Sequence, residues 1–365
     1  MAPVRVTEWR KLPLSLTELC IDTTLRCGQS FRWRKINDEW CCTLHGRIIS
    51  LKQDPTHLHY RSIWPAAAQR PTSAPIVKTE TPEDDTEELL KHYLSLKLDL
   101  TSLYEQWSEA DANFRKRAPK FGGVRMLSQD AWEALISFIC SSNNNISRIS
   151  QMVHKLCLHY GPLIAHINEQ PFHDFPTPEA LTGKQAEDEK MLPPPTTYKE
   201  AHEALLALAG VGPKVADCVC LMGLGWGEAV PVDTHVWQIA QRDYKFGKSR
   251  TKTFSKVMYD AVGDHFRQLW GEYAGWAHSV LFTADLKTFE GRVAKKEEDD
   301  EALVVKGEAG EDAIVEVKRE VVEDEASPPL TGKKRKTVQT KVKIEVEEAG
   351  DAHPKRRRTR SQKAV

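Results

Sequence analysis

The sequence predicts an α+β protein in which a small antiparallel sheet precedes a helical body and a charged tail. Three observations support this order. Aromatic and β-branched residues dominate short segments up to residue 64, apolar residues recur at helical spacing from about residue 89 to 290, and the remainder is charged and poor in aromatic residues. We therefore divide the chain into residues 1–64, 65–88, 89–290 and 291–365.

Four segments of the first part predict strands, because polar breaks separate runs rich in aromatic and β-branched residues. They are GQSFRWRKI, EWCCTLH, GRIISLKQ and LHYRSIW. Residues 65–88 are rich in proline, threonine and acidic residues, which predicts a flexible insertion.

The third part contains the segments with helical periodicity, among them QDAWEALISFICSS, ISRISQMVHKLCLHY, KVADCVCLMGL and EYAGWAHSVLFTADL. The tail is predicted to be disordered and carries basic clusters at 333–336 and 355–358. Such clusters suit nuclear import or attraction to phosphate, although a solvated charged tail is the alternative. We expect a nuclear location and leave a mitochondrial fraction open.

Composition limits the classes of cofactor and partner. The eight cysteines include no paired C-x-x-C arrangement and no fourfold loop, so neither zinc nor an iron–sulfur cluster is expected. We interpret them as reduced thiols of an intracellular protein. No apolar run approaches a membrane span, and the N-terminus lacks the apolar core of a secretory signal. We expect a monomer without a cofactor.

The formal net charge of −1 does not itself indicate a nucleic-acid partner, but a local basic patch would be enough to bind DNA.

The most informative segment joins two helical runs through Gly210, Val211 and Gly212, followed by Pro213. Glycine ends a helix, and proline suits the first turn of the next one, so a short helical hairpin is predicted. The hairpin exposes backbone N–H groups beside a helix N-terminus, where they can bind phosphate independently of base sequence. An ordinary helical hairpin is the alternative, and a structural cation there is left open.

Lys214 begins the second helix of this hairpin, where the partial positive charge of the helix N-terminus disfavours a charged amine. A solvated lysine would tolerate that position, but a nucleophile must be neutral and gains from it. Cys218 lies four residues on, along the same face. Asp233 ends a short apolar run before another helix, which either Asp233 or Thr234 could cap. The Asp233 carboxylate could also face the reaction centre.

These residues resemble a known family. GVGPK, VADCVCLM and VPVDTHVWQIAQRDY look like the helix-hairpin-helix DNA glycosylases, and the narrower match is to the eukaryotic 8-oxoguanine DNA glycosylase/AP lyases. CGQSFRW, SFICSSNNNISRI and YAGWAHSVLFTADL support that match, which runs from about residue 9 to 290. The resemblance implies an N-terminal sheet of the TATA-binding-protein type packed on the helical body. It also implies a partner, double-stranded DNA with 8-oxoguanine opposite cytosine.

The resemblance implies a role for each matching residue. Lys214 would attack the anomeric carbon of a flipped nucleotide and form a Schiff base, Asp233 would stabilise the positive charge on the sugar, and β-elimination would nick the strand. Base recognition would fall to Gly28, Cys218, His278 and Phe282, with the Gly28 carbonyl accepting the N7 hydrogen that guanine lacks. Contacts with the rest of the DNA would come from Asn143, Arg148, Gly210, Val211, Gly212 and His235.

The chain departs from the family pattern in two places. His278 stands where the family usually has glutamine, so base recognition could be altered or pH-sensitive. In addition, TGKQAEDEKMLPPPTT stands where related proteins carry a helical GYRA-like segment whose tyrosine wedges into the DNA stack. Without a side chain that fills the space left by the flipped base, the free-energy cost of unstacking the DNA bases is poorly offset. The chain is then either a variant with weakened activity or a sequence that lacks an exon.

Three functions remain open from the sequence. The first is a bifunctional glycosylase/lyase, and the second is a damaged-DNA-binding protein whose catalysis is impaired because the wedge is missing. The third is a monofunctional glycosylase of the alkylation-repair type. Lys214 argues against the third, since that chemistry activates water and needs only the aspartate.

Overall fold

A computed structural model describes residues 4–65, 84–183, 195–247 and 255–289, all within one compact unit, Met1–Ala294. The predicted tail with its basic clusters, most of the predicted insertion and the polar link at 184–194 lie outside the described residues. The three predicted boundaries between the four parts of the chain therefore stay predictions.

The N-terminal part forms the predicted antiparallel sheet. Its strands are β1 (Arg5–Val6), β2 (Arg10–Pro13), β3 (Arg34–Ile36), β4 (Glu39–Leu44), β5 (Arg47–Gln53) and β6 (His57–Trp64). Their order is β1-β6-β5-β4-β3, and β2 also pairs with β6. Two-residue turns at Asn37-Asp38 and His45-Gly46 close the β3–β4 and β4–β5 hairpins. All four turn residues have positive φ, which matches the twist of the strands.

The predicted strand over GQSFRWRKI is wrong for most of its length, because only its last residues form β3. Gly28 has φ +87°, a conformation outside the strand region. Instead of backbone hydrogen bonds to a neighbouring strand, this segment is held by the side chain of Gln29. Its amide donates to the Arg125 carbonyl at 2.8 Å and accepts from the Leu127 N–H at 2.9 Å. The segment therefore forms a loop tied to the helical body.

The described residues contain twelve α-helices, and the longer ones fall on the segments with helical periodicity. They are α1 (Ile21–Thr24), α2 (Thr86–Tyr93), α3 (Leu100–Ala110), α4 (Ala112–Arg117), α5 (Ala131–Ile139), α6 (Ile146–Tyr160), α7 (Pro178–Thr182), α8 (Tyr198–Leu206), α9 (Pro213–Met222), α10 (Thr234–Asp243), α11 (Lys256–Trp270) and α12 (Ala274–Asp285). Side-chain oxygens of Asp99, Asp130, Asn145 and Ser255 cap α3, α5, α6 and α11. Such capping residues explain why these helices begin where they do.

A second, two-stranded sheet lies inside the part of the chain that was predicted to be helical throughout. It consists of β7 (Leu163–Ile167) and β8 (Gln170–His173), joined at Asn168-Glu169, where both residues have positive φ. That prediction is therefore wrong for 163–173. The strands are too short to show a clear alternation, and Ile164 and Phe172 are buried only because the first sheet covers them.

Both faces of the first sheet are covered. Because side chains alternate along a strand, Cys42 and Ile49 pack on the side of α2, whereas Cys41 and Ile48 pack against the β7–β8 hairpin. On the α2 side, the Trp33 indole N–H donates to the Tyr93 hydroxyl at 2.9 Å. The sheet is thereby fixed on the helical body.

Helices α9 and α12 occupy the centre of that body. Every residue from Val215 to Met222 is buried, and α9 packs between α5 and α8. Gly275 allows α12 to approach the preceding chain closely, because a Cβ there would lie 2.2 Å from the Ala229 carbonyl oxygen. No helix of the described residues is both long and apolar enough to cross a membrane.

Candidate active site

The predicted helical hairpin is present as α8, the connection 207–212 and α9. Gly210 has φ +84°, and no atom lies within 4 Å of the position that a Cβ would take at Gly210 or Gly212. Pro213 occupies the first position of α9, whose opening turn has no side-chain cap. The turn is thus open at the N-terminus of a buried helix, and its contact with phosphate stays a prediction.

The Lys214 amine is held by two groups at the end of α5. Its Nζ donates to the Ser141 hydroxyl at 2.8 Å and lies 4.9 Å from the centre of the Phe138 ring. The Ser141 hydroxyl donates in turn to the Phe138 carbonyl at 2.6 Å. Among the described residues no carboxylate lies within ion-pair distance of Lys214. The amine is therefore fixed in space without a salt bridge.

Asp233 has the capping role that was one of the two sequence predictions. It is the N-cap of α10, and its Oδ1 accepts from the Val236 N–H at 2.8 Å. Among the described residues it forms no hydrogen bond or ion pair with Lys214, but the charges of both residues act on Cys218. Burial raises the pKa of the Cys218 thiol to about 11, against an opposing effect of Lys214. The thiol between the two charged groups is therefore neutral at physiological pH.

Gly28 and Phe282 lie together, as the resemblance implies. A Cβ on Gly28 would be 4.0 Å from the Phe282 ring and 3.0 Å from Ile146 Cδ1 at the start of α6. The Phe282 ring centre lies 6.3 Å from that of His278 and 6.0 Å from that of His235. The structure therefore brings four predicted residues from the N-terminal loop, α10 and α12 into one cluster.

His278 is the least satisfied polar side chain of this cluster. It is 6% exposed, and neither ring nitrogen has good hydrogen-bond geometry with any of the described residues, although the backbone of Gly275 is close enough to favour the protonated ring. Burial lowers the pKa of His278 to about 4, although the charge of Asp233 acts in the opposite direction. A buried polar group without partners is rare in proteins and calls for a ligand or another explanation.

The residues predicted to meet the remaining DNA line the rim. Asn143 is exposed in the α5–α6 loop with φ +49°, and Arg148 is exposed in the first turn of α6. His235 is exposed at the start of α10. Asn145 caps α6 between the first two, with its side chain accepting from the Arg148 N–H at 3.0 Å. These side chains are free to contact a ligand at the cluster.

Sequence reasoning missed a buried network behind the site. Asp217, 1% exposed on α9, accepts hydrogen bonds from the hydroxyls of Tyr198 and Tyr259. The Tyr259 hydroxyl also accepts from the Val232 N–H at 3.4 Å, directly before Asp233. Burial raises the pKa of Asp217, and the two hydroxyls act against that rise. An aspartate within an otherwise apolar helix was the available signal, but its partners are distant in sequence.

Metal ligands do not cluster in the described residues. No group of three or more histidine, cysteine, aspartate or glutamate side chains there could hold an ion. All eight cysteines carry free thiols.

The family model for the 8-oxoguanine DNA glycosylase N-terminal domain matches residues 11–135. An N-glycosylase/DNA lyase of Saccharomyces cerevisiae is 34% identical, with 81% of this chain and 93% of the yeast protein covered. The N-glycosylase/DNA lyase OGG1 of Arabidopsis thaliana is 32% identical, with 76% and 80% covered. The yeast alignment runs over 367 positions, more than this chain has residues, so the yeast protein contains internal residues that this chain lacks.

Solved structures share the fold. The structure of MBOgg1 in complex with a low-affinity DNA ligand has a TM-score of 0.59 and 23% identity, with 77% of this chain and 98% of that chain covered. The apo 8-oxoguanine glycosylase/lyase of Clostridium acetobutylicum has a TM-score of 0.57 and 21% identity over the same shares. The fold similarity agrees with the match to the curated relatives, which decides the family. Because its sequence is 34% identical to the yeast protein along nearly all of that protein's length, the chain belongs to the N-glycosylase/DNA lyase family of 8-oxoguanine DNA glycosylases.

Proposed function

We propose that this chain excises 8-oxoguanine opposite cytosine from double-stranded DNA and then cleaves the strand, with Lys214 as the nucleophile. The observation that carries the proposal is the position of the Lys214 amine. It is fixed at the N-terminus of the hairpin helix without a carboxylate partner among the described residues, on the face that also presents Cys218.

The reaction follows from groups at the site. Once the nucleotide is flipped, the electron pair of the Lys214 nitrogen forms a bond to C1′ of the sugar while the bond from C1′ to the base breaks. The base leaves with the electron pair of the broken bond and takes up the proton that the Lys214 nitrogen releases. The Asp233 carboxylate stabilises the positive charge on the sugar. The nitrogen electron pair then forms the C=N bond of an imine on Lys214 while the bond from C1′ to the ring oxygen breaks, and the remaining proton of the nitrogen passes to that oxygen. Loss of a C2′ proton then expels the 3′ phosphate oxygen and nicks the strand.

Recognition uses the cluster around Phe282. The base lies between the Phe282 ring and the neutral Cys218 thiol, and the Gly28 carbonyl accepts the N7 hydrogen that distinguishes 8-oxoguanine from guanine. His278 meets the far edge of the base and gains the hydrogen-bond partner that it lacks in the free protein. Because neutral imidazole has one donor and one acceptor, its tautomer adapts to that edge.

The rest of the DNA meets the rim. Asn143 and Arg148 contact the orphaned cytosine, His235 contacts a phosphate near the lesion, and the open turn at Gly210–Gly212 binds a further phosphate.

We further propose that the protein acts as a monomer, without a cofactor, in the nucleus. Because the sequence lacks the wedge segment, we expect base flipping to limit the overall rate.

Borohydride trapping tests the nucleophile. The full chain is incubated with a duplex that contains 8-oxoguanine opposite cytosine, and borohydride reduces any imine to a stable adduct. We expect an adduct with the wild type and none with Lys214→Gln. Lys256→Gln is the matched control, because Lys256 also begins a helix but is exposed at the start of α11.

The outcomes separate the rival functions. Intact binding to the damaged duplex without an adduct from the wild type would indicate a damage-binding protein that does not process its ligand. An adduct that persists in Lys214→Gln would mean that another amine is the nucleophile. Base release without strand cleavage would indicate the monofunctional reaction.

A further inference from the structure

A cleft of about 430 Å³ lies between β3, α6 and β8, beside the loop that precedes β3. The loop before β3 and the start of β3 form one wall, and helix α6 forms the other. No acidic residue lines it. Its lining consists of Phe31, Arg32, Trp33, Arg34, Thr43, Ser147, Ser150, Gln151, His154, Cys157, Leu158, Phe172 and His173.

The two arginines of the cleft differ in how their charge is compensated. Arg32 makes a two-bond contact with Glu133, at 2.8 and 2.6 Å, and lies 3.5 Å from Asp174. Arg34 has no carboxylate within ion-pair distance among the described residues. It donates to the Pro171 carbonyl at 2.9 Å and lies 3.7 Å above the Phe172 ring. Arg34 is thus a half-buried cation without a counter-ion.

The effect of this charge is visible on a neighbouring side chain. Burial lowers the pKa of Arg34 itself, so its charged form is disfavoured where it stands. Burial, followed by the charges of Arg34 and His173, also lowers the pKa of His154. An uncompensated positive potential of this kind favours an anion.

The α6 wall supplies uncharged hydrogen-bond donors. Counted from Ser147, three polar residues follow at positions +3, +4 and +7, and this spacing places all four on one face of the helix. They are Ser150, Gln151 and His154. Within the described part of the chain, the side chains of Ser147, Ser150 and Gln151 make no hydrogen bond. A guanidinium together with hydroxyl and amide donors matches the oxygens of a phosphate.

We propose that this cleft binds a phosphate group through Arg34, assisted by Ser150 and Gln151 of α6. The same helix carries Arg148 and contacts Gly28 through Ile146, so the cleft continues the rim of the active site. A DNA phosphodiester is therefore the expected source, and this part of the proposal rests on the proposed function. A free phosphate or mononucleotide is the other source of the same chemistry.

Binding to an undamaged duplex, measured as a function of salt, tests the DNA source without turnover. Each phosphate contact adds about 0.9 to the slope of log K against log salt. We expect Arg34→Gln to lower the slope by that amount, so that the wild type loses about 3.5-fold more affinity than the variant between about 50 and about 200 mM KCl. Lys35→Gln is the matched control, because it removes one positive charge from the residue next to Arg34 in β3. Lys35 lies outside the cleft and forms an ion pair with Asp22.

Two further measurements keep the test decisive. Gln151→Glu adds a negative charge to the cleft at an exposed helical position, so it should weaken binding even if Arg34→Gln perturbs folding. If the duplex slope is unchanged in both variants, inorganic phosphate should still raise the melting temperature of the wild type and not of Arg34→Gln. That result would identify the free anion as the ligand. No effect in either measurement would overturn the proposal.

Discussion

The burial of His278 makes the stability of this protein depend on pH. Its ring is 6% exposed, neither nitrogen has good hydrogen-bond geometry with the described residues, and burial lowers its pKa from 6.5 to about 4. In the unfolded chain the ring is solvated and regains its ordinary pKa. Replacement by glutamine removes the titration but keeps a polar side chain of similar length. His278→Gln therefore isolates this contribution.

The sign follows from which state binds the proton. Below pH 6.5 the unfolded chain becomes protonated at this position while the folded protein stays neutral until about pH 4. The free energy of unfolding therefore falls as the pH is lowered through this window and changes no further below it. The gap between the two pKa values corresponds to about 3 kcal/mol.

Urea unfolding at a series of pH values between neutrality and about pH 4 measures the effect. We expect the wild type to lose about 3 kcal/mol more than His278→Gln over that range. His278→Asn is the control, because it removes the same titration even if the shorter side chain lowers stability at every pH. Parallel curves for the wild type and both variants would refute the reasoning, since they would show that His278 is not buried in the neutral form.

Three further predictions concern the site. Tyr259→Phe and Tyr198→Phe each remove one hydroxyl from Asp217 and should each lower the free energy of unfolding by about 2 kcal/mol. Only Tyr259→Phe should also slow single-turnover base excision, and equal excision rates in the two variants would contradict its link to Asp233. Gly28→Ala should lower stability by about 1 kcal/mol because of its positive φ, and unchanged denaturant curves would count against this. Asp233→Asn keeps the helix cap, so it should change stability by less than about 0.5 kcal/mol while excision assays show a severe loss; an equally severe loss of stability would assign the residue to folding alone.

Several features of this protein follow from local sequence. Glycine and proline at 210–213 end one helix and begin the next, so the hairpin and the position of Lys214 are predictable. Asp233 and Asn145 are good caps, and they do cap α10 and α6. The aromatic and β-branched residues of β4, β5 and β6, with polar breaks between the runs, likewise predict their strands. Each of these depends on interactions within a few residues.

Tertiary structure decided the features that depend on residues far apart in the chain. The sequence around Gln29 predicts a strand. The Gln29 side chain, however, forms hydrogen bonds with the backbone of residues 125 and 127, and the segment is a loop. The β7–β8 hairpin is stable only against the sheet that covers it. The hydrogen bonds from Tyr198 and Tyr259 to Asp217 form only when the helices pack. The same is true of the environment of Arg34, which has no carboxylate partner among the described residues. The sequence by itself determined the family, through its motifs, and the helix caps, through the residues beside each helix start. The role of Lys214 as the nucleophile stays a prediction. Burial decided which polar groups are left without partners, and burial is a property of the whole fold.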